Sequence, residues 1–381
     1  MASPTILYLI DYVDLGGGET SFISFMARAR GTVKPVVIAP ARGPVTEALA
    51  RLDIDVHIVE YPLRFRRGLL PAWRPGPTRR IEEIVRQVGP ALVHVFHYFG
   101  LVYAGPVARR LGLPVVWTCH GDFELASPIR RWVARRWADH AACVAESARR
   151  AAEPVLGPGR VSTNYLGILP FDAGGKPVGR EAIRIELGEP TRDPILGVIG
   201  RFQPIKGHRH LLDAMPAVRR AVPAARVWII GDAMFGSGEE AAHKALIEKR
   251  VQAEGLGPAV RFLGFRHDAR RLMRALDAVV IPSEAESFSM VAVEALEAGV
   301  PVVGPDAGGP AEIIEQPATG LRFAPGDSAD LAAKIIAVLT REGPGAGFDP
   351  SAGPRRARAL FSIDAHLERA LALYGRLAGL L

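Results

Sequence analysis

Two glutamates eight positions apart, Glu286 and Glu294, stand in the segment Ser283–Gly304 (SEAESFSMVAVEALEAGVPVVG), which continues as PDAGGPAEII. The segment begins where the apolar run Ala278–Pro282 ends. On one helix the two carboxylates would be separated by up to ~12 Å along the axis. That spacing suits the two ends of an extended ligand better than a catalytic pair sharing one bond. Between them, Ser287, Phe288, Ser289 and Met290 would open the helix with orphan amide donors, a place for a diphosphate or for sugar hydroxyls. A carboxylate is a natural acceptor for a vicinal diol, so one glutamate for a ribose and one for a hexose is chemically sensible. Two exposed helix glutamates would look the same in isolation. Upstream, Gly200–His208 (GRFQPIKGH) puts Arg201 and Lys206 on one strand-to-helix loop. Two cations so placed can converge on a pyrophosphate as it leaves. Gly207 would allow the following helix a close approach, and His208 and His210 read as surface residues.

The first half of the chain offers weaker signals. Gly16, Gly17 and Gly18 lie in the loop after the first apolar run, and glycines there permit backbone approach to a ligand. They form neither a full GxGxxG nor a P-loop, since no Gly-Lys-Ser/Thr follows. His120, in His120–Gly121–Asp122, closes the run Pro114–Thr118 in the same fashion. Its neighbour Cys119 makes no thiol–imidazole pair with it, because adjacent residues on an extended segment point to opposite faces. Cys119 and Cys143 have no metal or redox spacing and read as reduced, buried thiols of a cytoplasmic protein. Asp53 and Asp55 form an Asp-x-Asp triplet at the entry to a strand, read as structural, so no metal is expected.

These residues need a scaffold, and the alternation of short apolar runs with amphipathic stretches supplies one. Strands are expected at Thr5–Ile10, Pro35–Ala39, Asp55–Val59, Ala91–Phe96, Pro114–Thr118 and Ala141–Ala145, with helices such as Glu19–Arg30, Thr78–Val88 and Ile129–Ala138 between them. The rhythm restarts at Ile195–Gly200, Arg226–Gly231, Val260–Gly264, Ala278–Pro282 and Val300–Gly304. This is the pattern of parallel sheets wrapped by helices. At 381 residues the chain exceeds one core. The expectation is an α/β protein of two doubly wound modules, residues 1–168 with a returning C-terminal helix 362–381, and residues 169–361. The hinge falls near Leu169–Val178, and Gly343–Gly353 reads as a mobile loop. Open sheets bind ligands beyond the carboxyl ends of their strands, which makes the space between two facing sheets the default site. No uncharged apolar run is long enough to span a membrane, and the early acidic residues Asp11 and Asp14 argue against a signal peptide. The net charge of +7 is uneven: residues 1–180 carry 23 Lys+Arg and 15 Asp+Glu, so the excess lies in the first half. That excess suits an acidic partner, or a solvated arginine-rich surface.

The pattern Glu286, Phe288, Glu294, Ala295, Gly299, Pro301, Val302, Gly308, Gly309 and Glu312 resembles the donor-binding segment of glycosyltransferase family 4, and Arg201 with Lys206 resembles that family's diphosphate clamp. The resemblance runs from Gly16 to the final helix. It implies the GT-B fold, in which two Rossmann-like domains face each other across a cleft and the last helix crosses back to the first domain, here Ile363–Leu380. It implies a retaining, metal-independent transfer of a hexosyl unit from a UDP- or GDP-sugar to a glycan, glycolipid or small-molecule hydroxyl, with no cofactor. By the same resemblance Glu286 contacts the transferred sugar and Glu294 the ribose. Gly16–Gly18 lies beside the donor phosphate and acceptor, His120 lies near the sugar's 6-hydroxyl, and the main chain at Phe265 and Arg266 lies beside the base. Ser287 stands where the family often has glycine, which leaves the donor open.

Two other classes compete with this reading. A sugar-nucleotide epimerase can share the fold but needs further acid–base residues. A nucleic-acid binder would use the basic half, yet no recognition motif supports it. Leu63–Arg80 (LRFRRGLLPAWRPGPTRR) is rich in arginine, has no acidic residue and carries Phe65, Leu69, Leu70 and Trp73. It reads either as a docking surface for the anionic inner face of a membrane or as a solvated loop gripping a polyanionic acceptor.

Overall fold

The computed structural model of the chain describes residues 3–63, 65–66, 70–71, 75–171, 178–189, 192–233 and 237–379, with side chains for all but 65–66 and 70–71. The chain separates into two compact units, Met1–Ile168 with Phe361–Leu381, and Leu169–Leu360. The expected hinge Leu169–Val178 lies largely outside the described residues, as does most of the arginine-rich stretch from 64 to 74.

The first unit is built on a parallel sheet of β1 (Thr5–Leu9), β2 (Lys34–Ala39), β3 (Asp55–Ile58), β6 (Leu92–Val95), β7 (Val115–Cys119), β8 (His140–Cys143) and β9 (Val161–Thr163). Phe65–Arg66 and Leu70–Pro71 form β4 and β5, a separate antiparallel pair. Helices α1 (Gly17–Ala29), α2 (Pro44–Arg51), α3 (Pro75–Val88), α4 (Tyr98–Arg110), α5 (Pro128–Trp137) and α6 (Glu146–Leu156) connect the strands. The central strands are buried on both faces, and accordingly read as unbroken apolar runs, Ile6–Leu9 and Val115–Trp117 among them. The strand order is β3-β2-β1-β6-β7-β8-β9, so the winding reverses between β1 and β6.

In the second unit α7 (Arg180–Glu186) precedes β10 (Ile195–Ile199), α8 (His208–Ala221), β11 (Arg226–Ile230), α9 (Gly238–Ala253), β12 (Val260–Gly264), α10 (Ala269–Met273) and β13 (Ala278–Val280). After these come α11 (Met290–Glu297), β14 (Val302–Pro305), α12 (Gly308–Ile313), β15 (Gly320–Phe323), α13 (Ser328–Thr340) and α14 (Ala352–Phe361). The order β12-β11-β10-β13-β14-β15 reverses between β10 and β13. Both units are therefore doubly wound parallel sheets, the expected fold class. Such reversal points are where open sheets leave a crevice for ligands.

The last helix, α15 (Ile363–Ala378), belongs to the first unit. Tyr374 on it shares a hydrogen bond of 3.3 Å with the Tyr8 hydroxyl and another of 2.5 Å with His94 Nδ1. Gly167 lets it dock, since a Cβ there would come within 2.7 Å of the Ile363 Cα.

Three expectations about elements change. Strands β9 (VST) and β15 (GLRF) carry polar residues or glycine and do not stand out as apolar runs. Gly343–Gly353 is no loose loop: Gly343–Gly347 forms a tight 3-10 turn with Gly345 buried against the Ala337 carbonyl, and α14 begins at Ala352. Helix α11 starts at Met290, four residues beyond Glu286, so the two glutamates do not share a helix.

Candidate active site

Beyond β10 and β13, at the reversal of the second sheet, the two motif loops are stitched together. The Glu284 amide donates to the Ile205 carbonyl at 2.9 Å. Lys206 Nζ donates to Glu286 Oε1 at 2.7 Å, and Ser283 Oγ donates to the same oxygen at 3.0 Å. Gly207, in the left-handed region at φ +68°, has no room for a side chain: a Cβ would sit 1.9 Å from the Pro282 carbonyl oxygen. On the other flank the Gly309 amide donates to the Glu286 carbonyl at 3.1 Å. A Cβ on Gly308 or Gly309 would lie 2.0 Å from the carbonyl oxygen of Glu286 or Phe288 respectively. Glu286 is thus positioned by its backbone from one side and by a cation from the other.

Ser289 starts α11 in the left-handed region, φ +84°, with its hydroxyl accepting from the Ala292 amide. This cap is why Glu286 and Ser287 remain in the loop while Phe288, 4% exposed, anchors it in the core. Met290 is the first helical residue. Glu294, a turn into α11, lies 3.8 Å from Arg270 rather than near Lys206. Burial pushes its carboxyl up to about 7, with Arg270 opposing. Arg201 is drawn to the buried Glu240 at the start of α9, 3.5 Å away, so the two cations of the expected clamp rest on different carboxylates. Phe265 is exposed beyond the end of β12, and the Arg266 guanidinium is held by both oxygens of Asp268 at 2.8 and 3.0 Å. His208 and His210 are not on the surface. His208 is 1% exposed and stacks on Phe202 with centroids 4.6 Å apart, and His210 contacts Glu284 at 3.2 Å.

In the first unit the loops after β1, β6 and β7 converge at the corresponding reversal. Gly16 caps α1, and Gly17 is its first residue. The Glu19 carboxylate folds back over this turn: a Cβ on Gly16 would be 2.6 Å from Glu19 Oε2. A Cβ on Gly18 would stand 4.0 Å from His120 Cε1, so two of the predicted features meet. His120 Nε2 donates to the Phe96 carbonyl at 2.9 Å, which leaves the lone pair on Nδ1. Burial lowers its pKa to about 4, so the ring is neutral. It stacks on His97 at 4.8 Å, and its own amide donates to the buried Glu124 at 2.6 Å. The Asp11 amide donates to His97 Nδ1 at 3.4 Å, which turns the His97 Nε2 proton toward Glu19 Oε1, 3.6 Å away.

Asp11, Glu19, His97, Glu124, Glu240 and Arg270 were not picked out by sequence reasoning. Asp11 and His97 each come just after a strand, as His120 does. Asp11 is buried at the end of β1 and accepts from the Phe99 and Gly100 amides at 2.7 and 2.8 Å, capping α4 from another element. Burial raises its pKa to about 7. Cys119 and Cys143 are free and buried, in register on neighbouring strands, and the Cys119 thiol donates to the Gly121 carbonyl, not to His120. Asp53 occupies a left-handed turn at φ +54°, and Asp55 lies 3.3 Å from His57.

Comparison with known proteins matches this geometry to a family. Residues 15–169 match the model of Glycosyltransferase Family 4, and residues 179–349 match that of Glycosyl transferases group 1. A D-inositol 3-phosphate glycosyltransferase of Segniliparus rotundus is 31% identical over 250 residues, covering 59% of this chain and 53% of that protein. The chain thus spans about half the length of that relative. A GDP-mannose-dependent alpha-mannosyltransferase of Mycobacterium tuberculosis is 26% identical, with 86% of this chain and 85% of that one aligned. Among solved structures, Anabaena HepE in complex with UDP-glucose superposes with a TM-score of 0.82 at 24% identity, covering 98% of this chain and all of that one. With both halves matched in order and both sheets doubly wound, the chain belongs to glycosyltransferase family 4 and has the GT-B fold.

Proposed function

We propose that the chain transfers a hexosyl unit from a nucleoside diphosphate sugar to a hydroxyl of a glycan, glycolipid or small molecule, with retention at the anomeric carbon and without a metal ion. The observation that carries the reading is the Lys206–Glu286 contact at the sheet reversal, which brings the two motif loops onto one spot. In this reading Glu286 meets the transferred sugar, Lys206 and Arg201 meet the diphosphate, and Glu294 holds the ribose. The backbone at Phe265 and Arg266 meets the base, the amides from Ser287 to Met290 face the donor, and Gly16–Gly18 flanks its phosphate. The lone pair on His120 Nδ1 accepts from the sugar's 6-hydroxyl. The donor class follows the relatives, one GDP-mannose-dependent and one crystallised with UDP-glucose.

For the reaction, the bond from the anomeric carbon to the phosphate oxygen breaks and its electron pair stays on the diphosphate. The acceptor oxygen bonds to the same face of that carbon, and its proton passes to the departing phosphate. No side chain is assigned as nucleophile. Lys206 and Arg201 supply the charge that would otherwise require a divalent cation. The protein would work in the cytoplasm, where Leu63–Arg80 could seat it on the inner membrane face.

A thermal-shift panel of nucleotides and nucleotide sugars tests the donor class, because a ligand of the native state raises the melting temperature by mass action. Proton NMR of the product reads the anomeric configuration, and turnover in excess chelator reads the metal requirement. A product of inverted configuration, or activity abolished by chelator and restored by manganese or magnesium, would overturn those parts. Altered sugar nucleotide without an acceptor would point to an epimerase instead.

A further inference from the structure

His208 is the first residue of α8, a helix of 14 residues whose third amide, that of His210, already bonds the Gly207 carbonyl, while the amides of His208 and Arg209 precede the helix's own bonds. Its ring is 1% exposed, and neither Nδ1 nor Nε2 has a hydrogen-bond partner. One face lies flat on Phe202 at 4.6 Å, with an interplanar angle of 7°. A phenylalanine would fill that stack without burying two unpaired nitrogens, and buried polar groups are otherwise almost always bonded. His208 also lines, together with Gly200, Lys206, Ser283 and Glu286, a cavity of about 10 Å³. That is room for one oxygen atom or one water. The Glu286 charge on its wall is matched by Lys206 at 2.7 Å. An anionic oxygen entering there therefore meets an ammonium, the start of a helix and an imidazole with a proton to give. Burial lowers the pKa of this ring to about 4, so it is neutral and carries one N–H and one lone pair.

We propose that His208 is a further donor-binding residue, whose ring N–H gives a hydrogen bond to one oxygen of the nucleoside diphosphate in the cavity beside Lys206. The proposal rests on the donor-site reading above. It assigns to the ligand the bond that this imidazole lacks, and it explains why an imidazole rather than a phenyl ring lies on Phe202.

The test is titration calorimetry with UDP and with GDP on the full chain, paired with thermal melts of the unliganded protein. His208→Phe keeps the stack on Phe202 and removes both nitrogens. It should melt at or above the wild-type temperature yet bind the nucleotide about ten-fold more weakly. His208→Gln, which restores an N–H, should recover part of that loss. Lys206→Ala serves as the control for the site itself. Unchanged affinity in His208→Phe alongside weakened binding in Lys206→Ala overturns the role of His208 and leaves the donor site standing. Unchanged affinity in both variants overturns the donor site and, with it, this proposal. A fall in melting temperature that parallels the lost affinity, with no recovery in His208→Gln, assigns the ring to packing and overturns the proposal as well.

Discussion

Lys206 and Glu286 neutralise each other in the unliganded chain, so a diphosphate must compete with a carboxylate for the ammonium. Arg201 rests on another carboxylate, that of Glu240, at 3.5 Å. Replacing either cation by alanine should cut turnover about 100-fold, the scale of losing one transition-state stabiliser, while the fold persists. Near-normal turnover in both variants removes the clamp. Glu294 makes a different prediction. Its folded pKa of about 7 lies above the usual glutamate value of 4.5, so the unfolded chain releases this proton first as pH rises. Stability is therefore lost between about pH 4.5 and 7, by about 3 kcal/mol at most, and the loss is complete above pH 7. Denaturant titrations at pH 5 and pH 8 should show Glu294→Gln flattening this dependence while weakening nucleotide binding. A pH profile identical to wild type would sink the assignment. At this scale the motif residues were legible because their types and spacing carry chemistry. His208 was not, because an imidazole after a loop reads equally well as surface or interior, and only its neighbours Phe202 and Lys206 decide. Arg270 escaped because arginines are common in this sequence and its contact with Glu294 is formed across separate helices.

The glycines beside Glu286 set the loop's shape from outside it. Gly309→Ala would drive a methyl group to within 2.0 Å of the Phe288 carbonyl, so the loop carrying Glu286 must move. The variant should lower both melting temperature and turnover. Gly238→Ala, at a helix position where a Cβ meets nothing within 4 Å, should be neutral or mildly stabilising. Equal melting temperatures and activities in the two variants would show that the close approach is not needed. Elements were legible where an apolar run was long enough to be buried on both faces. β9 (VST) and β15 (GLRF) lack an apolar run, and α14 hid behind the Gly- and Pro-rich sequence that precedes it. The start of α11 was misplaced because Ser289 caps the helix from a left-handed conformation that its residue type does not announce.

For the molecule as a whole, the alternation of strand and helix patterns made the two doubly wound sheets legible, since each β-to-α step leaves its own periodicity. The charge asymmetry was legible too, and it makes a prediction. No described helix is long and apolar enough to cross a membrane. If Leu63–Arg80 docks on an anionic surface, co-sedimentation with vesicles should require anionic lipid and weaken with salt. It should also fall when Arg64, Arg66, Arg67 and Trp73 become alanine. Equal behaviour with neutral and anionic vesicles would favour a soluble acceptor.

The return of α15 to the first unit has a consequence for synthesis. Residues 169–360 form their unit from one continuous stretch, whereas the sheet that begins at Thr5 lacks Tyr374, the partner of Tyr8 and His94, until the ribosome has made nearly everything after it. The second unit is therefore the first able to complete itself, and the nascent first unit waits with an uncovered face through the whole of its neighbour's translation.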